Sequence, residues 1–88
     1  MKKPILYVKQ GCPWCIDALE YFSKIGISLD VIDVTKHQDS MQELIDCSGQ
    51  SKTPTLKNDN FVVADFDIDE FKQAMSENTI EAKKLGFK

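Results

Sequence analysis

Cys12-Pro13-Trp14-Cys15 follows a short apolar run, Ile5-Leu6-Tyr7-Val8, and precedes a stretch with helical periodicity. This sets a strand, a tight loop and a helix in immediate succession, with two thiols one turn apart at the helix start. Backbone N–H groups without helical partners, together with the helix dipole, favour negative charge at the first cysteine. The thiolate fraction there rises, and the thiolate is the nucleophile in thiol chemistry. The second cysteine stands where it can attack a mixed disulfide formed on the first. Pro13 suits the first helical turn, where a missing N–H costs nothing.

The rest of the chain reads as alternating short elements. Ile5 to Val8 is a short buried strand. From Trp14 to Ile25, the positions Cys15, Ala18, Leu19, Phe22 and Ile25 share one helical face, and Gly26 is placed to cap it. Asp17 and Lys24 match the dipole at the two ends. Ile27 to Val34 reads as a second strand, which makes a right-handed βαβ unit. Ser40 with Glu43 three residues on has the form of a capping box for a helix over Met41, Leu44, Ile45 and Cys47, stopped by Gly49. Thr55 to Lys57 and Phe61 to Ala64 read as a hairpin turning at Asn58-Asp59. Asp65 or Asp67 caps a last helix carrying Ile68, Phe71 and Met75, and residues 78–88 form a tail of weak periodicity. The order β-α-β-α-β-β-α, a parallel pair joined to an antiparallel hairpin, gives an α/β chain. Its expected form is a four-stranded mixed sheet flanked by helices, the minimal thioredoxin fold.

Size and charge narrow the function. Eighty-eight residues make a single expected domain, 1–88, and a net charge of −3 argues against a nucleic-acid partner. No run approaches the roughly 20 apolar residues of a membrane span. Met1-Lys2-Lys3 is followed by too short an apolar run for a signal peptide. A cytoplasmic, reducing location is expected. Three cysteines are too few for a disulfide scaffold and fit a reactive pair plus one spare. A tetrahedral zinc site needs four ligands, and beyond the pair only Cys47 and His37 remain, each with a plainer reading, so no metal is expected. Cys47 reads as a packed thiol on a helical face, and His37 as a loop residue.

Tyr7 through Cys15, with Ser48-Gly49-Gln50, Thr53-Pro54 and Phe66-Asp67 at matching distances, resembles the glutaredoxin family over residues 4–77. That family usually carries Cys-Pro-Tyr-Cys. The resemblance implies a glutathione-dependent thiol–disulfide oxidoreductase, working as a monomer on glutathionylated or disulfide-bonded proteins. It makes Cys12 the nucleophile and Cys15 the resolving thiol of a redox-active Cys12–Cys15 disulfide. Pro54 is then a cis-proline, and Thr53 presents its backbone to the substrate cysteine. Lys9 is either a solvated lysine or a charge that steadies the Cys12 thiolate and pairs with a glutathione carboxylate. Trp14 replaces the usual Tyr as a wall of the glutathione groove. Phe66 and Asp67, at a helix start, would hold the γ-glutamyl end; Asp67 also reads as a plain N-cap. Ala64-Asp65 stand where the family usually has Gly-Gly. Ser51 stands where an Arg is common, with Lys52 one place on to supply that charge. Two relatives of the same fold remain as alternatives. One is a redoxin reduced by thioredoxin reductase that binds glutathione weakly, and the other is a module holding a [2Fe–2S] cluster through Cys12 and glutathione.

Overall fold

β1 (Ile5–Val8) is the hinge of the architecture, because its side chains serve two cores. Leu6 and Val8 point into one apolar cluster with Cys15, Ala18, Phe22, Leu56, Phe66, Phe71 and Met75. Tyr7 points to the other face, against Val34 and Leu44. The alternation is that of a central strand covered on both sides. The computed structural model that gives this picture describes residues 3–86. The basic start at Met1-Lys2 and the last two residues of the tail, 87–88, lie outside the described residues.

The remaining elements are α1 (Pro13–Ile25), β2 (Asp30–Asp33), α2 (Gln38–Ser48), β3 (Thr55–Asn58), β4 (Phe61–Val63), α3 (Ile68–Glu77) and α4 (Thr79–Leu85). The sheet runs β2-β1-β3-β4. β1 pairs with β2 in parallel, Leu6 opposite Val31, and with β3 antiparallel, Leu6 opposite Leu56. β4 returns antiparallel to β3. α1 and α3 cover one face through the larger cluster, and α2 covers the other. This is the expected α/β order with one helix added. No described helix is long and apolar enough to cross a membrane.

Four aromatic rings weld α1 to α3. Phe22 and Phe71 meet edge to face at 4.9 Å, Phe66 lies 5.4 Å from Phe71, and Tyr21 lies 6.1 Å from it. Edge-to-face contacts of this kind add to the area they bury. On the opposite face Tyr7 is buried. Burial, and then the charges of Cys47 and Glu43, push its phenol up to about 12, so it stays protonated.

Several boundaries differ from the sequence reading. β2 starts at Asp30 rather than Ile27. The Ile27 N–H is already held by the Phe22 carbonyl at 3.1 Å, and that of Gly26 by Ser23, which closes α1 in a Schellman motif. On α1 the buried face is Cys15, Ala18 and Phe22, while Leu19 and Ile25 stay partly exposed. Asp17 falls beyond the first turn, because the helix already begins at Pro13.

α2 starts at Gln38 with His37 in the N-cap place, and the Ser40–Glu43 box does not form. The N–H groups of Ser40 and Met41 bond to the His37 carbonyl, so Ser40 is already inside the helix. The apolar repeat marked only the buried stretch, not the exposed first turn. The hairpin loop is Asp59-Asn60, with Asn58 paired to Phe61. The tail folds as α4, with Ala82 and Leu85 buried in the larger cluster.

Candidate active site

Cys12 ends the loop after β1 and is the N-cap of α1. Its Sγ accepts the Cys15 N–H at 3.2 Å, in the place where a capping oxygen usually sits. Gly11 makes the approach with φ +70°, a torsion that side chains resist, although nothing would meet a Cβ there. Cys12 is half-buried and Cys15 is 2% exposed. All three cysteines are free thiols.

The loop before β3 comes up to the first thiol. Thr53 Oγ1 donates to Cys12 Sγ at 3.7 Å, and the thiol in turn faces the Thr53 carbonyl at 3.9 Å. The Thr53–Pro54 peptide bond is cis. A set of polar side chains fixes this loop. The fully buried Thr55 hydroxyl donates to the Lys52 carbonyl at 2.9 Å and accepts from Gln50 Nε2 and the Asp65 N–H. Gln50 also takes the Lys52 N–H at 2.6 Å and donates to Ser48 Oγ. A network in which every buried member is satisfied holds one geometry, and here that geometry keeps Thr53 against Cys12. Sequence reading assigned no role to Thr55 or Gln50. A polar residue inside a short strand, five places after a glutamine, was the available signal.

The two thiols are driven apart in acidity. Burial pulls the Cys12 thiol up, but hydrogen bonds from the Cys15 side chain, the Thr53 hydroxyl and the Cys15 and Trp14 backbone outweigh it, and the net direction is down. Cys15 goes up, chiefly through burial and then through its hydrogen bond to Cys12. The pair is arranged for one thiolate and one protonated partner. Lys9 is half-buried, and its backbone N–H serves Cys15; its ammonium is not among the groups that lower Cys12. We expect iodoacetamide to label Cys12 much faster than Cys15 at pH 7. Plotted against pH, the Cys12 rate should reach half its maximum below the ordinary thiol value of about 8.5. A midpoint above that value would contradict the hydrogen-bond account.

The structure gathers only part of the expected ligand set. Trp14, 58% exposed, lines a groove of about 160 Å³ with Asp17, Asp67, Ile68 and Asp69, at the meeting of the α1 and α3 starts. Asp17 and Asp69 are additions to the sequence-derived set. Asp67 is the N-cap of α3 in a full capping box: it accepts the Glu70 N–H at 2.7 Å, and its own N–H goes to Glu70 Oε1. Phe66 is turned into the core, 3% exposed, and its N–H bonds to the Pro54 carbonyl at 3.3 Å. Lys52 is exposed and forms an ion pair with Asp65 at 3.9 Å. Asp65, in the expected Gly-Gly place, takes φ +50°. Cys47 packs against the Tyr7, Val34 and Leu44 cluster rather than the one that holds Cys15, and His37 is the N-cap of α2. Cys47 donates to the Leu44 carbonyl within α2, and burial pushes its thiol up.

Comparison with known proteins gives the fold and the family. The thioredoxin-like protein BC3987 is 28% identical and superposes with a TM-score of 0.73 over 81% of this chain and 97% of its own. The glutaredoxin of Archaeoglobus fulgidus is 20% identical, with a TM-score of 0.72 over 83% of this chain and 85% of its own. A buckwheat glutaredoxin, solved as its glutathione complex, is 15% identical, with a TM-score of 0.65 over 85% of this chain and 69% of its own. The last two likenesses speak for the fold. No curated protein sequence matches. The glutaredoxin sequence family matches residues 5–63, from β1 to the end of β4 and more than half of the chain. The chain belongs to the glutaredoxin family, whose members are thiol–disulfide oxidoreductases built on the thioredoxin fold.

Proposed function

We propose that the protein reduces disulfide-bonded and glutathionylated proteins through a Cys12/Cys15 dithiol, with glutathione returning it to the reduced form. The observation that carries this reading is the pairing of a hydrogen-bonded, half-exposed Cys12 with a buried Cys15 of raised pKa. The Cys12 thiolate attacks one sulfur of the substrate disulfide. That S–S bond breaks, and the other sulfur leaves as a thiolate that takes a proton from water. Cys15 then loses its proton and attacks Cys12, releasing the second substrate thiol. Two electrons pass to the substrate, and the dithiol becomes a disulfide. Glutathione enters from the family and from the complex formed by the buckwheat relative. The work is proposed for the cytoplasm, where the glutathione pool keeps such a pair reduced.

A specific observation favours a second reading, a redoxin regenerated by thioredoxin reductase. The Phe66 and Asp67 N–H groups, assigned to a γ-glutamyl carboxylate, are already bonded within the chain, and Lys52 is paired with Asp65. A coupled NADPH assay separates the two. Turnover with glutathione and glutathione reductase supports the first reading. Turnover with thioredoxin reductase alone transfers the protein to the second and removes the ligand roles of Lys9, Trp14, Lys52 and Asp67. No turnover with either overturns the exchange chemistry itself.

A further inference from the structure

The buried polar side chains among the described residues are Thr53 and Thr55, on either side of Pro54. Thr55 is fully buried on β3, opposite Tyr7 of β1. Valine has nearly the same shape and suits a strand as well; what threonine adds is the hydroxyl. A hydroxyl carries one hydrogen and two acceptor sites, and here all three are used. The hydrogen goes to the Lys52 carbonyl at 2.9 Å, and the oxygen accepts Gln50 Nε2 at 3.2 Å and the Asp65 N–H at 3.3 Å. Gln50 is used as completely. Its oxygen accepts the Lys52 N–H at 2.6 Å, and its nitrogen donates to Ser48 Oγ at 2.8 Å as well as to Thr55. Ser48 in turn donates to the Leu44 carbonyl at the end of α2.

The loop is therefore tied at Lys52 by both its N–H and its carbonyl, to side chains anchored in α2 and β3. The Lys52 carbonyl belongs to the rigid peptide plane that leads into Thr53. The Thr55 bond to it fixes where the Thr53 side chain leaves the backbone. The Thr53 hydroxyl then donates to Cys12 Sγ at 3.7 Å. At that length a small displacement or tilt of the loop removes the contact. The Thr53 hydroxyl is among the donors that lower the Cys12 thiol. Thr55 itself makes no hydrogen bond to either cysteine.

We propose that Thr55 is a positioning residue for the nucleophile: its hydroxyl, together with the Gln50 carboxamide, holds the loop in the placement that keeps the Thr53 hydroxyl on the Cys12 sulfur. The inference rests on Cys12 as the attacking thiol and not on which disulfide it reduces. Without the Thr55 hydroxyl, the Lys52 carbonyl, the Gln50 amide and the Asp65 N–H each lose a partner. The loop then settles elsewhere, and the Cys12 thiolate loses a donor. Cys12 becomes harder to ionise, while attack by the thiolate, once formed, is undiminished, because a more basic thiolate is the better nucleophile.

The test reads alkylation of Cys12 by iodoacetamide against pH in the reduced protein, with the labelled site identified by mass spectrometry. Thr55→Val is expected to raise the midpoint of the Cys12 profile by about half to one pH unit and to keep the limiting rate at high pH. Thr55→Ser, which restores the hydroxyl, should return the midpoint to that of the unaltered protein. Thr53→Val should raise the midpoint as Thr55→Val does. The double variant T53V/T55V should raise it no further, since both changes remove the same contact. Gln50→Ala, outside the strand, should move the midpoint in the same direction, and it carries the test if circular dichroism shows Thr55→Val to be unfolded. A folded Thr55→Val protein with an unchanged midpoint would overturn the proposal, as would an unchanged midpoint in Gln50→Ala. So would a double variant whose shift is the sum of the two, because Thr55 would then act by a route other than Thr53. Failure to reduce any disulfide, with the expected midpoints found, would sink the exchange reaction and leave the positioning role standing.

Discussion

Replacing Cys12 by serine is expected to lower disulfide reduction by a factor on the order of 10³ or more, because no other group in the site supplies a nucleophile at neutral pH. Cys15 cannot substitute, being buried and held protonated. Cys47 cannot either, since it is bonded within α2 and its thiol is also raised. The partner substitution, Cys15→Ser, has a different signature. Cys12 keeps the donors of the backbone and of Thr53 and still forms mixed disulfides. Reduction of a glutathionylated peptide should therefore survive when excess glutathione resolves the intermediate, while reduction of an intramolecular protein disulfide should stall. Steady-state rates on the two substrate types check this. Full activity of Cys12→Ser would remove Cys12 from the nucleophile's role.

Phe71→Ala is expected to cost about 3–5 kcal/mol of stability. Phe71 is fully buried, joins α3 to Phe22 of α1 at 4.9 Å, and touches Phe66 at the approach to that helix. Little of the lost ring can be replaced, because its neighbours are themselves rigid rings. A small domain holds only about 5–15 kcal/mol in all, so the variant should fall close to its unfolding threshold. For a domain of this size the loss corresponds to a fall in Tm of more than about 12 °C, readable by circular dichroism. A fall below about 5 °C would mean that α3 does not depend on this cluster. The consequence reaches the site, since Phe66 and Asp67 lead into the same helix and Asp67 lines the Trp14 groove.

The sequence carried the placing of the two cysteines at a helix start, and the sheet, legibly because both rest on short-range signals. Ile5 to Val8 alternates between two cores, and a C-x-x-C after it sits at a helix start whether or not the rest is known. What it left unread either carries no residue-type signal or depends on how the elements pack. Ile27 reads as strand from composition alone, yet its N–H is taken by the helix that precedes it. His37 caps α2 without a side-chain bond, so no residue type announces that boundary, and the apolar repeat begins only at Met41. Asp65 and Asp67 were indistinguishable as caps. The reciprocal Glu70, three residues after Asp67, decides between them, and Asp65 is released to pair with Lys52. Asp17 reads from sequence only as a match to the helix dipole, and Asp69 carries no signal, because exposed aspartates on helices are ordinary. Only the packing of α1 beside α3 brings them to one groove with Trp14.

The central claim, that Cys12 is the attacking thiol and Cys15 resolves its adduct, is tested most directly by trapping that adduct. Reduced Cys15→Ser protein would be mixed with oxidised glutathione or a disulfide-linked peptide, quenched with acid and mapped by mass spectrometry. The account predicts a single mixed disulfide on Cys12, with Cys47 left as a free thiol. An adduct on Cys47, or none on Cys12 under conditions where the unaltered protein turns over, would contradict it.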